Sequence, residues 1–175
     1  MSIFLKVDKL KNVNGAVVAV DFKLLPQNAG DCTLALAADG LVLKGQAVNT
    51  DRVITVTGDL ICALKGVCDR CGKELDYSVT AEFSEAFTNI TEKVDEDPEG
   101  DDAKAVHFFS GDEIDLLPYA EQTVFLSQPM KTLCSEDCKG LCPQCGTNLN
   151  DNECSCDKSP IDPRFAVLAD LLNKG

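Results

Sequence analysis

Six of the chain's ten cysteines fall in one stretch, CSEDCKGLCPQCGTNLNDNECSC, at Cys134, Cys138, Cys142, Cys145, Cys154 and Cys156. Two more, Cys68 and Cys71, form a C-x2-C pair in GVCDRCGKEL. Thiols at this density oxidise or scramble unless disulfides or a metal hold them. A C-x2-C pair places two sulfurs around one small ion, and the glycine that follows, Gly72 or Gly146, lets backbone N–H groups turn toward the thiolates. No signal-peptide h-region is present, so a reducing, cytoplasmic setting is expected and zinc is favoured over disulfides.

Eight thiolates divide into two closed, four-sulfur sites of the structural kind. The most economical partition gives Cys142, Cys145, Cys154 and Cys156 one ion. Cys134 and Cys138 then meet Cys68 and Cys71, tying the C-terminal segment back to the N-terminal half. The alternative is a mixed partition, with Cys142 or Cys145 in the long-range site. Cys32 and Cys62 lie in apolar strands and read as small buried hydrophobes, not as ligands.

A chain of 175 residues can bury a core without help from a metal. Its charge is the second constraint: 29 acids against 16 bases, net −13. Two divalent ions on eight thiolates would take the balance to about −17. Such a surface repels nucleic-acid phosphate and suits a basic partner. No apolar run is long enough to span a bilayer.

Read in order, Ser2 to Leu10 predicts a first strand, and Val18, Val20, Phe22 and Leu24 share one face of a second. Pro26 to Gly30 reads as a turn. Asp39-Gly40 reads as the turn of a hairpin between two short strands. Ile54, Val56, Leu60, Cys62 and Leu64 form a period-2 face, with a bulge expected at Gly58. Tyr77, Val79, Ala81 and Phe83 alternate against Asp76, Ser78, Thr80 and Glu82, which places Cys68 and Cys71 in the turn between two strands. Residues 92–102 hold seven acids and one lysine and predict a mobile acidic loop. A helix is expected from Asp115, as N-cap, to Gln128, with Leu117, Ala120 and Val124 on its apolar face. A second is expected after Asp162 and Pro163, with Phe165, Leu168 and Leu172 on one stripe. The pattern is α+β: an antiparallel, sheet-rich N-terminal part over 1–91, the acidic loop 92–102, a helix and connection over 103–133 packing on the sheet, and a cysteine-rich zinc module with a terminal helix over 134–175.

Catalysis finds little support. The chain has one histidine, His107, which reads as a strand-end residue without a chemical role, and neither G-x-G-x-x-G nor G-x4-G-K-[ST] occurs. The cysteines suffice to fill both zinc shells, whereas a catalytic zinc keeps an open position. Lys65, Arg70 and Lys73 make a small basic spot, read as offsetting thiolate charge, with contact to RNA as the alternative.

The order of motifs resembles one family. The C-x-R-C turn Cys68-Asp69-Arg70-Cys71 is followed by an acidic loop, by Ile114-Asp115-Leu116, by Pro129, by the cluster C-x3-C-K-G-L-C-P-x-C-G-x-N-L-N with C-x-C behind it, and by a DPR-F-A-V-L ending from Asp162. This is similar to the YceD family, the bacterial and plastid proteins linked to accumulation of large-subunit ribosomal RNA. The resemblance implies a cytoplasmic, non-enzymatic factor in large ribosomal subunit biogenesis. Its expected partner is a large-subunit ribosomal protein or a pre-ribosomal particle, met through protein contacts. Rival readings are direct RNA binding by the zinc module and a redox-gated zinc chaperone. Family members with a shorter tail keep the first cysteine pair and carry His/Cys at the positions of Cys134 and Cys138 but lack the later four, which favours the first partition.

Overall fold

The computed structural model describes residues 3–28, 30, 32–91 and 105–156. Among these residues two sheets build the fold. The larger has five strands in the order β2-β3-β4-β5-β6: β2 (Val17–Leu24), β3 (Leu36–Thr50), β4 (Val53–Val67), β5 (Glu74–Thr88) and β6 (Val106–Phe108). The smaller pairs β1 (Phe4–Lys6) with β7 (Glu113–Asp115). A helix, α1 (Leu117–Leu126), follows β7.

Alternation decides the faces. Val20 and Leu24 of β2, Ile54, Val56, Leu60, Cys62 and Leu64 of β4, and Val79 and Phe83 of β5 all point into one core. Ile3, Leu5, Val7 and Leu10 from the N-terminal segment join it, as do Ile114, Leu116 and the Leu117, Ala120 and Val124 stripe of α1. The expected apolar faces of β2, β4 and α1 are therefore the buried ones.

The turns differ from the sequence reading. Asp39-Gly40 is no hairpin: β3 runs through it as one strand, and the turn lies at Asp51 and Arg52, both with positive φ (50° and 65°). Two left-handed residues in a two-residue loop match the twist of the flanking strands. Gly40 sits at a bulge instead: Leu36 pairs with Leu64 and Leu41 with Cys62, so β3 carries extra residues there. Its φ is +69°, and a Cβ would lie 2.0 Å from the Leu24 carbonyl oxygen. Gly58 is in register, opposite Gly45 on one side and Phe83 on the other. A bulge at Gly58 would have put Ile54 and Leu60 out of phase, yet both face the core. What Gly58 supplies is room, since a Cβ on it would come 2.3 Å from the Lys44 carbonyl oxygen.

Two further differences concern ends and direction. The first strand covers only Phe4–Lys6, because tight turns begin at once, with the Leu10 and Lys11 N–H groups both donating to the Val7 carbonyl. Helix α1 starts at Leu117 with Leu116 as its N-cap; Asp115 ends β7 and its carboxylate accepts the Leu117 N–H at 3.0 Å. β6 runs parallel to β5, pairing Val106 with Ala86. The chain between Thr88 and Val106 is long enough for the return that parallel pairing requires. The acidic loop 92–102 and the helix expected after Asp162 lie outside the described residues.

The N-terminal segment is fastened to the sheet by a buried amide. Asn49 donates from Nδ2 to the carbonyls of Leu10 (2.6 Å) and Val13 (3.1 Å), and its Oδ1 accepts the Arg52 N–H (2.9 Å). Asn49→Ala would strand these three backbone groups. A loss of about 1–3 kcal/mol is expected, read as a lower denaturation midpoint in urea with an unchanged slope.

Candidate metal centres

The β4–β5 hairpin ends with Val67 opposite Glu74, and Cys68 to Lys73 make its tip. The Cys68 N–H donates to the Lys73 carbonyl (2.8 Å) and the Gly72 N–H to the Cys68 carbonyl (2.8 Å), with Gly72 at φ +70°. The same arrangement recurs further along. The Cys142 N–H donates to the Thr147 carbonyl (2.8 Å) and the Gly146 N–H to the Cys142 carbonyl (2.9 Å), with Gly146 at φ +72°. Each C-x2-C-G therefore folds into the same tight knuckle, which only a residue tolerant of left-handed φ closes without strain.

The hairpin tip meets the segment beyond α1. Asp69 exchanges two bonds with Thr132: its N–H donates to the Thr132 carbonyl (2.9 Å) and its carboxylate accepts the Thr132 N–H (2.6 Å). The Arg70 guanidinium donates to the carbonyls of Cys138 (2.9 Å) and Glu136 (3.3 Å), and the Leu141 N–H donates to the Arg70 carbonyl (3.2 Å). Tyr77 adds a bond from its hydroxyl to Gln128 (3.1 Å).

These clamps bring four sulfurs together. Cys68 Sγ lies 3.7 Å from Cys138 Sγ, and Cys71 Sγ lies 3.7 Å from Cys134 Sγ. All four lie within 4.8 Å of one another, as do the sulfurs of Cys142, Cys145, Cys154 and Cys156. A disulfide would need about 2.05 Å. A tetrahedron of sulfurs bonded to zinc at about 2.3 Å has edges of about 3.8 Å, so the observed spacing fits an ion and not a sulfur–sulfur bond. Each cluster is able to coordinate a metal ion, and neither mixes Cys142 or Cys145 into the long-range set.

The charge balance within each cluster asks for a cation. Backbone N–H groups, that of Cys134 first and then those of Cys71 and Arg70, hold the Cys68 thiol down at about 6 against opposing burial. The Thr147 hydroxyl and then its N–H do the same for Cys145, also to about 6. The partners respond in the opposite direction. Cys138 pushes Cys134 up to about 12, and Cys145 pushes Cys156 up to about 12. Thiolates this close cannot all ionise together unless a cation lies between them.

The remaining candidates lie elsewhere. Cys62 is buried in the sheet and Cys32 half-buried, both pushed up to about 11 by burial, and both stand outside the two clusters. His107 sits in β6, its Nε2 3.0 Å from the Glu85 carboxylate and its ring against Tyr119 and Phe87. Asp69, Arg70 and Thr147 had no assigned contact in the sequence reading. Arg70, one of the three residues of the basic spot, also donates from its guanidinium to backbone carbonyls.

Comparison with known proteins decides the kinship. The sequence profile described as "Large ribosomal RNA subunit accumulation protein YceD" matches residues 56–172. The chain belongs to the YceD family. An uncharacterised protein of Mycobacterium tuberculosis is 34% identical over 119 residues, which is 68% of this chain and 56% of that protein. The uncharacterised protein YlbN of Bacillus subtilis is 31% identical over 133 residues, 75% of this chain and 70% of that protein. A protein of Arabidopsis thaliana named "Large ribosomal RNA subunit accumulation protein YCED homolog 1, chloroplastic" is 28% identical over 130 residues, 59% of this chain and 40% of that protein. The chain thus spans little more than half the length of the mycobacterial relatives. No solved structure matches it significantly. Among the described residues no helix is long and apolar enough to cross a membrane.

Arg70→Ala should loosen the join between the hairpin tip and residues 132–141 while leaving β2, β3 and β4 intact. Amide hydrogen exchange is expected to rise at least several-fold in 132–141 and to stay unchanged in the strand cores.

Proposed function

We propose that this YceD-family protein is a zinc-stabilised, non-enzymatic factor in large ribosomal subunit biogenesis, supporting accumulation of large-subunit ribosomal RNA through protein contacts with basic ribosomal components in the cytoplasm. The observation that carries the reading is the pair of closed four-cysteine clusters in a chain of that family. Four sulfurs complete a tetrahedral shell and leave no position for substrate or water, which suits a structural ion and not a catalytic one. In this reading Cys68, Cys71, Cys134 and Cys138 hold one Zn2+, and Cys142, Cys145, Cys154 and Cys156 hold a second. Bound metal would supply positive charge that lets all eight thiols ionise, and would close the chain over long and short loops respectively.

The charge supports the partner class. Residues 1–91 are nearly balanced, with 11 acids and 9 bases, whereas 92–102 carry seven acids and one lysine and 103–175 carry 11 acids and 6 bases. A basic ribosomal protein or pre-ribosomal particle would be steered to that half, and direct RNA binding would be opposed. A redox-gated role is the second reading, favoured by the exposure of Cys134 and Cys145 to solvent oxidants.

Metal analysis of protein purified without chelator is expected to give two zinc ions per chain. Cys142→Ser should raise hydrogen exchange only around 142–156, whereas Cys68→Ser should free the segment after α1 from the sheet. Uniform loss of protection in both variants would refute the partition. Capture from lysate should recover large-subunit proteins equally with and without nuclease; recovery abolished by nuclease would favour the RNA reading.

A further inference from the structure

The two clusters are joined by a side chain that belongs to one loop and serves the other. Asn150 lies between Cys145 and Cys154, inside the local cluster's loop. Its Nδ2 donates to Cys138 Sγ at 3.3 Å, a sulfur of the long-range cluster. Its Oδ1 accepts the N–H of Lys139, the residue after that cysteine, at 2.8 Å. The second Nδ2 proton goes to Asn148 Oδ1 at 2.8 Å. This fixes the amide's orientation: the oxygen must face Lys139, so the nitrogen faces the sulfur.

Asn150 is aimed by the turn around it. Asn148 Oδ1 also accepts the Asn150 N–H (3.0 Å), Asn148 Nδ2 donates to the Asp151 carboxylate (2.9 Å), and the N–H groups of Asp151 and Asn152 donate to the Asn148 carbonyl (3.3 and 3.0 Å). The Leu149 N–H donates to the Gly140 carbonyl (2.9 Å), and Leu141 bridges to Asn148. Gly140 fits because its φ is +74°, with the Arg70 carbonyl oxygen 3.1 Å from where a Cβ would stand. The turn is thus laid against the long-range cluster and carries a donor to one of its thiolates.

We propose that the Cys142–Cys156 loop is the outer shell of the Cys68/Cys71/Cys134/Cys138 centre, with Asn150 the positioning residue that makes the two centres bind metal cooperatively. This rests on the zinc reading of both clusters. Filling the local centre draws Cys145 and Cys154 to one ion and so orders the turn between them. The ordered turn presents the amide N–H to Cys138, whose thiolate it stabilises as a ligand. By linkage the effect is reciprocal, so an ion in the long-range centre also tightens the local one. Outer partners of metal ligands typically contribute 10–100-fold in metal affinity.

Chelator competition with Zn2+, and cobalt substitution read by absorption, test this on the full chain. Asn150→Ala should weaken the long-range centre about tenfold or more and shift its sulfur-to-cobalt charge-transfer band. Asn150→Asp keeps an acceptor for the Lys139 N–H but loses both Nδ2 donations, to Cys138 Sγ and to Asn148 Oδ1, and sets a carboxylate against the thiolate, so it should bind more weakly than Asn150→Ala. If Asn150 served only to hold the loop, the aspartate variant, which keeps the Lys139 bond, would bind no more weakly than Asn150→Ala. Emptying the local centre with Cys142→Ser and Cys154→Ser should weaken the long-range centre by a similar factor, and that loss should shrink when Asn150→Ala is already present. Two ions bound with unlinked affinities, or an aspartate variant that binds no more weakly than Asn150→Ala, would overturn the coupling and leave the zinc reading standing. A chain that binds no zinc and gives no tetrahedral thiolate spectrum with cobalt would overturn both.

Discussion

The structure depends on one closure, the meeting of the β4–β5 hairpin tip with the segment after α1. Four sulfurs within 4.8 Å of one another are an unfavourable arrangement by themselves, because ionising one opposes ionising the next. Asp69 and Arg70, the two residues between the cysteines, hold the arrangement by clamping Thr132, Glu136 and Cys138. The C-x2-C turn thus has two functions in four residues: its ends carry sulfur and its middle carries the docking contacts.

That closure has a different physical standing from the core. Strands β2 to β5 and helix α1 bury a continuous apolar face that needs no metal. Cys68, Cys71 and Cys138 instead form a separate small cluster with Leu75 and Leu133 at its margin. Burial alone is thin there, so polar clamps, and an ion in the reading offered above, must hold the segment that ends in the second knuckle. The chain after α1 is attached through its cysteines, through the Asp69 and Arg70 clamps and through Tyr77–Gln128.

Much of the architecture was legible because alternation is a local property. The faces of β2, β4, β5 and α1 follow from which positions are apolar, and the structure buries or half-buries those positions. The turns were less legible. Asp39-Gly40 carries a stronger hairpin signal than Asp51-Arg52, yet the strand runs on through the first and reverses at the second. The difference is set by pairing partners: Gly40 is needed where the β3 bulge passes the Leu24 carbonyl, a contact that sequence spacing does not reveal. The parallel β5–β6 pairing is likewise a matter of where the returning chain lands.

The sequence by itself determined the chemistry of the candidate centres. Cysteine spacing, with Gly72 and Gly146 behind each pair, dictates two like knuckles, since the left-handed closing residue is written into the motif. It also limited how eight thiols could be divided. Only the tertiary structure decided which sulfurs converge, because Cys68 and Cys138 are distant in sequence and meet through contacts made by Asp69, Arg70 and Thr132. It alone placed Asn150 on a sulfur of the other cluster. Nothing in an Asn-Leu-Asn stretch specifies its neighbour across space: a side-chain amide bonds to whatever the packed backbone sets before it, and that is fixed only when both loops are folded against each other.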